Sequence, residues 1–142
     1  MKTWIALLLA LAMPFAALAN EEPAEGEEGK EGDKAKKISY INLVPALVGN
    51  YGTGNKLKYF KADVSLRVTG ENEAKSVEYH EPLIRNQLII LFAQQTDETV
   101  GSVEGKEALR LEALKQVREV LEAEDGKPLV DDLLFNNLII QP

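Results

Sequence analysis

The sequence predicts an α+β domain, a small sheet of about three strands packed against two consecutive helices in the order β-β-α-α-β. Three stretches carry that prediction. Leu57 to Thr69 alternates Phe60, Ala62, Val64, Leu66 and Val68 with Lys61, Asp63, Ser65, Arg67 and Thr69. This strict period of two marks a strand with one buried and one wet face. Ser102 to Glu124 sets Leu111, Leu114, Val117 and Leu121 at helical spacing, with Ala113 and Val120 beside them, among Glu, Lys, Arg and Gln. That is an amphipathic helix, and its stripe needs a sheet or a second helix to cover it. Leu129 to Gln141 is apolar on both faces over much of its length. It reads as a second long strand, placed centrally beside the first.

The remaining elements follow from their punctuation. Ile38 to Val48 favours a strand up to Pro45, which has no N–H to give a ladder, so the strand ends there or lies at a sheet edge. Gly49 to Asn55, G-N-Y-G-T-G-N, reads as a turn cluster. Pro82 fits the first turn of a helix running to about Gln95. Ile84, Leu88, Leu91 and Gln95 form one of its rows and Leu83, Gln87 and Ile90 another, so a wide buried face is expected. Thr96 to Gly101 reads as a break, Ser102 as an N-cap, and Gly126 with Pro128 as the stop of the long helix.

Residues 1–37 differ in kind from the rest. Lys2 is followed by an apolar run from Trp4 to Met13, then Pro14 and an A-x-A site at Ala17-Leu18-Ala19. A spanning helix needs roughly 20 apolar residues. The run is shorter, so residues 1–19 read as a signal peptide cleaved between Ala19 and Asn20. The rival reading is a retained anchor. Residues 20–37 hold no large apolar side chain and are acidic first, then basic at Lys34, Lys36 and Lys37. They read as a disordered charged linker. Residues 38–142 form the domain.

Composition narrows the chemistry. Of 142 residues, 45% are hydrophobic and 27% charged, which suits one globular domain with extra segments. A formal net charge of −7 disfavours binding to nucleic acid, which needs clustered Lys and Arg. With no cysteine, thiolate catalysis, disulfides and zinc–thiolate sites are excluded. His80 is the only histidine, and beside Glu78 and Glu81 it reads as a surface residue at a helix start rather than a metal ligand. Asp131 and Asp132 are adjacent on a strand and should point to opposite faces, which is poor for joint catalysis. The serines lie in no nucleophile motif, and G-N-Y-G-T-G-N opens no helix and is followed by no lysine–serine pair. No catalytic, cofactor-binding or metal-binding residue is expected, and no cofactor.

Several stretches in one order resemble a known family. They are K-Y-F-K-A-D-V-S-L-R-V at Lys58 to Val68, Pro82-Leu83-Ile84-Arg85 leading to Leu88-Ile89-Ile90-Leu91, and E-G-K-E-A-L-R at Glu104 to Arg110. They close with Leu134 to Ile140 and the terminal Gln141. From about Tyr40 to Gln141 the chain resembles the periplasmic domain of the flagellar basal-body-associated FliL family, with Gly105, Leu109, Arg110 and Gln141 as its motif residues. The resemblance implies a stomatin-like fold and a non-enzymatic role beside the flagellar motor. It also implies side-by-side assembly with copies of itself into rings around the stator units, in support of torque, swarming or surface sensing. Candidate partner contacts are Lys106, Lys115 and Arg118 on the long helix, with Arg110, and the Gly49–Asn55 loop. Members of that family usually carry a cytoplasmic N-terminus and a full transmembrane helix, whereas this chain opens on a signal-like segment. The expected location is therefore the periplasm, with contact to the membrane only if residues 1–19 are retained as an inner-membrane anchor. The alternative function is a soluble adaptor or binding domain of another envelope complex.

Overall fold

The computed structural model describes residues 36–142; the signal-like segment and all but Lys36 and Lys37 of the linker lie outside the described residues. The element order is β1 (Ile38–Asn42), β2 (Leu47–Tyr51), β3 (Lys58–Thr69), α1 (Glu71–Tyr79), α2 (Glu81–Ala93), α3 (Asp97–Gly101), α4 (Val103–Asp125) and β4 (Val130–Gln141). The strands form one antiparallel sheet around β3, so the domain is α+β.

The alternation in β3 decides the layering. Phe60, Ala62, Val64, Leu66 and Val68 are all essentially inaccessible, while Tyr59 and Lys61 on the opposite face are exposed. Period-two geometry sends the two sets to opposite sides of the sheet. The buried set meets the helices: Phe60 stacks on Phe92 of α2 with ring centroids 4.8 Å apart, and Phe92 meets Phe135 of β4 at 5.7 Å. Such aromatic pairs contribute about 0.5–1.5 kcal/mol beyond their buried area.

β4 pairs along nearly the whole of β3, from Tyr59↔Gln141 to Val68↔Val130. It thus occupies one edge of β3, and β1 and β2 share the other. β1 pairs with Ser65–Thr69 and β2 with Lys58–Ala62, both antiparallel, as one lane with a break. Pro45, after a cis Val44–Pro45 bond, lies in that break. There Leu43 N–H still donates to Val64 O (2.9 Å), and Arg85 of α2 donates to the Pro45 carbonyl (2.7 Å). The expected interruption at Pro45 is present, but the strand resumes beyond it. Gly49, Asn50 and Tyr51 belong to β2 and not to a turn, which is confined to residues 52–57. The strand position of Gly49 suits glycine because a Cβ there would sit 2.9 Å from the Phe60 ring across the ladder. β4 also differs from expectation: β3 is the central strand, and β4 is paired to β3 alone.

The helical layer has two more elements than expected. α1 escapes a periodicity reading because Val77 is its one buried residue. α3 replaces the expected break; Thr96 caps it, and the Thr96 and Thr99 hydroxyls each accept from the other's backbone N–H. α2 buries Ile84, Leu88, Leu91 and Phe92, but its second row faces outward, with Leu83 and Ile90 each 44% exposed. α4 starts and stops where its caps predict. Ser102 Oγ accepts from Gly105 N–H (2.9 Å), and Gly126 takes the left-handed conformation, donating to Glu122 O (3.0 Å). Its buried row is Leu109, Ala113, Val117 and Leu121. Leu111, read from the sequence as part of the stripe, is 51% exposed. Among the described residues no helix is long and apolar enough to cross a membrane.

Candidate interaction surfaces

The first half of α4 is held by the backbone as much as by side chains. Gly105 passes so close to α3 that a Cβ would lie 2.3 Å from the Thr99 carbonyl oxygen and 2.8 Å from Ser102 Oγ. Any larger residue would push the two helices apart at their corner. One turn on, Leu109 enters the core, and Arg110 reaches across to β4. Its guanidinium donates to both carboxylate oxygens of Glu107 (2.8 and 2.6 Å), to Asp132 Oδ1 (2.7 Å) and to the Leu133 carbonyl (3.0 Å). These bonds, Glu107 first, raise the Arg110 pKa further, and in return Arg110 holds the Glu107 carboxyl below its ordinary value. Asp131 turns the other way and accepts from Thr69 Oγ1 (2.5 Å), so the two adjacent aspartates are committed to separate contacts.

Lys106 lines a trough of about 540 Å³ between the start of α4 and β4, with Val103, Arg110 and Leu134 to Leu138. Lys115 and Arg118 border a second one of about 400 Å³ that contains the exposed Leu111. Gln141 lies at the end of β4 opposite Tyr59, on a third of about 320 Å³ on the helix-free face of the sheet, with Val48, Lys61 and Ile139. Gly105, Leu109 and Arg110 are thus brought together at one corner. Lys106 adjoins that corner, Lys115 and Arg118 lie farther along α4, and Gln141 is at the far end of β4. The Gly49–Asn55 stretch divides between β2 and the following turn.

Two polar clusters have no counterpart in the sequence reading. Ser65 is buried on the helix-free side of β3; it donates to Asn42 Oδ1 (2.5 Å) and accepts from Asn136 Nδ2 (2.5 Å), so one side chain from each lane of the sheet joins a single chain of bonds. Asp97 at the start of α3 accepts from Tyr51 Oη (3.1 Å) and from Lys58. Lys58, then Tyr51, holds the Asp97 carboxyl below its ordinary value, while burial and then Asp97 push the Tyr51 phenol up. Both clusters join residues far apart in sequence, for which local spacing gives no signal. Glu107 was within reach of such reading, since it precedes Arg110 by one helical turn; Asp132 was not. His80 ends α1 with its ring edge-on to Tyr79 (5.0 Å). Among the described residues no three His, Cys, Asp or Glu side chains converge as a metal site.

This geometry belongs to a scaffold with outward-facing grooves, and the comparisons with known proteins agree on which one. A sequence profile described as flagellar basal body-associated protein FliL matches residues 40–141, the span in which the resemblance was read. The chain is also similar to the flagellar protein FliL of Aquifex aeolicus (strain VF5), with 29% identity over 99 residues, or 70% of this chain and 59% of that protein. It therefore spans less than two thirds of the relative's length. With the profile covering all but two of the domain's strand and helix residues at one end and none missing at the other, the chain belongs to the family of the flagellar basal body-associated protein FliL.

Proposed function

We propose that the chain is a non-enzymatic periplasmic accessory of the flagellar basal body, supporting the motor and its stator units through protein–protein contacts. The observation that carries this reading is the family match over residues 40–141, which takes in the α4 corner and both long strands. What the domain offers a partner is surface: troughs beside Lys106, Lys115 and Arg118, and the open face of the sheet. Assembly with copies of itself beside the stators is part of the same reading. Deletion of the gene tests it: loss or slowing of swimming with flagella still assembled supports the reading, and normal motility overturns it.

The second reading is a soluble adaptor of another envelope complex, favoured by the signal-like residues 1–19, whose cleavage between Ala19 and Asn20 would release the domain. Mass analysis of the protein from fractionated cells separates the two. A soluble species starting at Asn20, with normal motility and an envelope defect on deletion, supports the adaptor. A membrane-bound species starting at Met1 supports an anchored component facing the periplasm.

A further inference from the structure

The lane that β1 and β2 form beside β3 is fastened unevenly. From Leu43 onward it is tied firmly to the helical layer. Leu43, Leu47 and Tyr51 are buried, Arg85 of α2 donates to the Pro45 carbonyl, and Tyr51 Oη donates to Asp97 of α3. Ahead of Leu43 the hold is thinner. β1 buries one side chain, Ile41. Its other ties among the described residues are the ladder to Ser65–Thr69, the Ser65 bond to Asn42 (2.5 Å), the Gly70 N–H bond to the Lys37 carbonyl (2.8 Å) and an exposed ion pair of Lys36 with Glu73 (3.2 Å). An exposed ion pair adds little. Glu21 to Lys37 carries no large apolar side chain that could add to the hold.

We propose that β1 is a detachable strap: Ile38–Asn42 leaves the edge of β3 as one unit and stops at a clamp formed by Leu43 and Pro45, while the rest of the domain stays folded. The clamp is Leu43, buried and donating its N–H to Val64 O (2.9 Å), with Arg85 fixing Pro45 two residues on. Release breaks the five pairs with β3 and exposes Ile41. It leaves the buried Ser65 hydroxyl bonded to Asn136, so no buried polar group is stranded. Few buried contacts place β1 at the low end of local opening free energies. It is also the first strand of the domain, so a pull on the N-terminal segment reaches β1 before any other strand and starts at Ile38↔Thr69. Fully extended, Ile38 to Asn42 spans roughly 17–18 Å, and release lengthens the tether by up to that much. In the cell such a load rests on the anchored reading above, with residues 1–19 retained. The detachment itself is a property of the domain and is measured without an anchor.

Amide exchange on the full chain, resolved by NMR, tests it. The Gly70–Lys37 and Leu43–Val64 bonds set the alternation of the ladder: Ser39, Ile41 and Leu43 stand in hydrogen-bonded pairs and Tyr40↔Arg67 in a non-hydrogen-bonded one. Ser39 and Ile41 should exchange at a common rate, roughly tenfold or more faster than Leu43. The Tyr40–Arg67 position suits a cross-link, because the Cα atoms of such a pair lie about 4.5 Å apart, and the chain has no cysteine to compete. In the double variant Tyr40→Cys, Arg67→Cys, oxidation should slow Ser39 and Ile41 to the Leu43 rate, and reduction should restore the gap. Equal rates at all three in the parent chain, a smooth gradient from Ser39 to Leu43 (end fraying), or fast exchange that persists in the linked form overturns the strap. So does a cysteine pair that does not link. Single-molecule pulling adds the load, with one handle on the N-terminus and one on Lys115→Cys of α4. A short step of no more than roughly 18 Å should precede unfolding of the domain, and unfolding as the first event overturns the proposal. A soluble protein starting at Asn20 in cells would remove the load there and leave these results standing.

Discussion

The two halves of α4 are the same helix fixed by different means. Its first half, Val103 to Arg110, is locked by a side-chain cap at Ser102, by the backbone contact of Gly105 with Thr99, and by the Arg110 bonds to Glu107, Asp132 and Leu133. Its second half, Leu111 to Asp125, is held on its core side by Ala113, Val117 and Leu121, with Leu114 packed partly against the core, and among the described residues by one side-chain bond to another element, Gln116 to Gln87 (2.8 Å). The residues read by resemblance as the family motif on this helix, Gly105, Leu109 and Arg110, all fall in the first half, where each has a structural duty. Lys115 and Arg118 fall in the second, and among the described residues neither makes an ion pair. The contrast separates residues the fold requires from residues the fold leaves free for something else.

Truncating the core at the locked end should have the largest effect. Leu109 is 3% exposed, and Leu109→Ala removes its packing and leaves a cavity, for an expected loss of about 2–5 kcal/mol in chemical denaturation. Gly105→Ala, with an effect close in size to the loss of Arg110, is the sharper test, because propensity and packing predict opposite signs. In an unobstructed helix alanine would gain about 0.8–1.0 kcal/mol over glycine. Here the new Cβ meets a backbone carbonyl that cannot rotate away, so a net loss of about 1–3 kcal/mol is expected. A gain would show that the corner between α3 and α4 is loose, and the contrast between the halves would fail.

Arg110→Met tests the ionic part of the lock. It keeps most of the apolar stem but strips the donors from Asp132 and the Leu133 carbonyl, for an expected loss of about 1.5–3 kcal/mol at neutral pH. The pH dependence gives a finer reading. Glu107 has a folded pKa below its ordinary 4.5 because Arg110 donates to it. A depressed carboxyl pKa contributes stability that is present above the unfolded value and lost as pH falls through the folded one. The gap between the parent chain and Arg110→Met should therefore narrow as denaturation is repeated below about pH 4.5, and a gap that widens in acid would mean the Glu107 bonds do not form in solution.

How much of this was legible in the sequence depended on where each signal was stored. β3 was legible because one face is covered and the other is open, which writes the period of two directly into the residues. The extent of α4 was legible because Ser102 and Gly126 mark its ends. Which of its rows is buried was not, since Leu111 and Leu109 both continue helical apolar rows and only the sheet beneath decides between them. β2 was hidden because the glycine that lets Phe60 pack looks, in sequence, like turn chemistry. α1 was hidden because a helix with a single buried residue has no stripe to detect. At the candidate surfaces, Gly105, Leu109 and Arg110 were singled out only by resemblance, the reason for Gly105 needed the Thr99 carbonyl in place, and Asp132 is brought to Arg110 only by the return of the chain along β3.

The smallest effect on stability should come from the unlocked half, and it bears most on function. Lys115→Gln with Arg118→Gln removes two charges that touch no ionic partner in the domain, so the melting transition should move by no more than about 0.5 kcal/mol. If these side chains meet a basal-body component, swimming in soft agar should fall although the domain is as stable as before. The two readouts together decide the point. A drop in both would mean the second half of α4 depends on its charges after all, and the contrast between the halves would be wrong. No change in either would return Lys115 and Arg118 to an ordinary solvated face and move the search for the partner surface to the trough beside Lys106 or to the open face of the sheet.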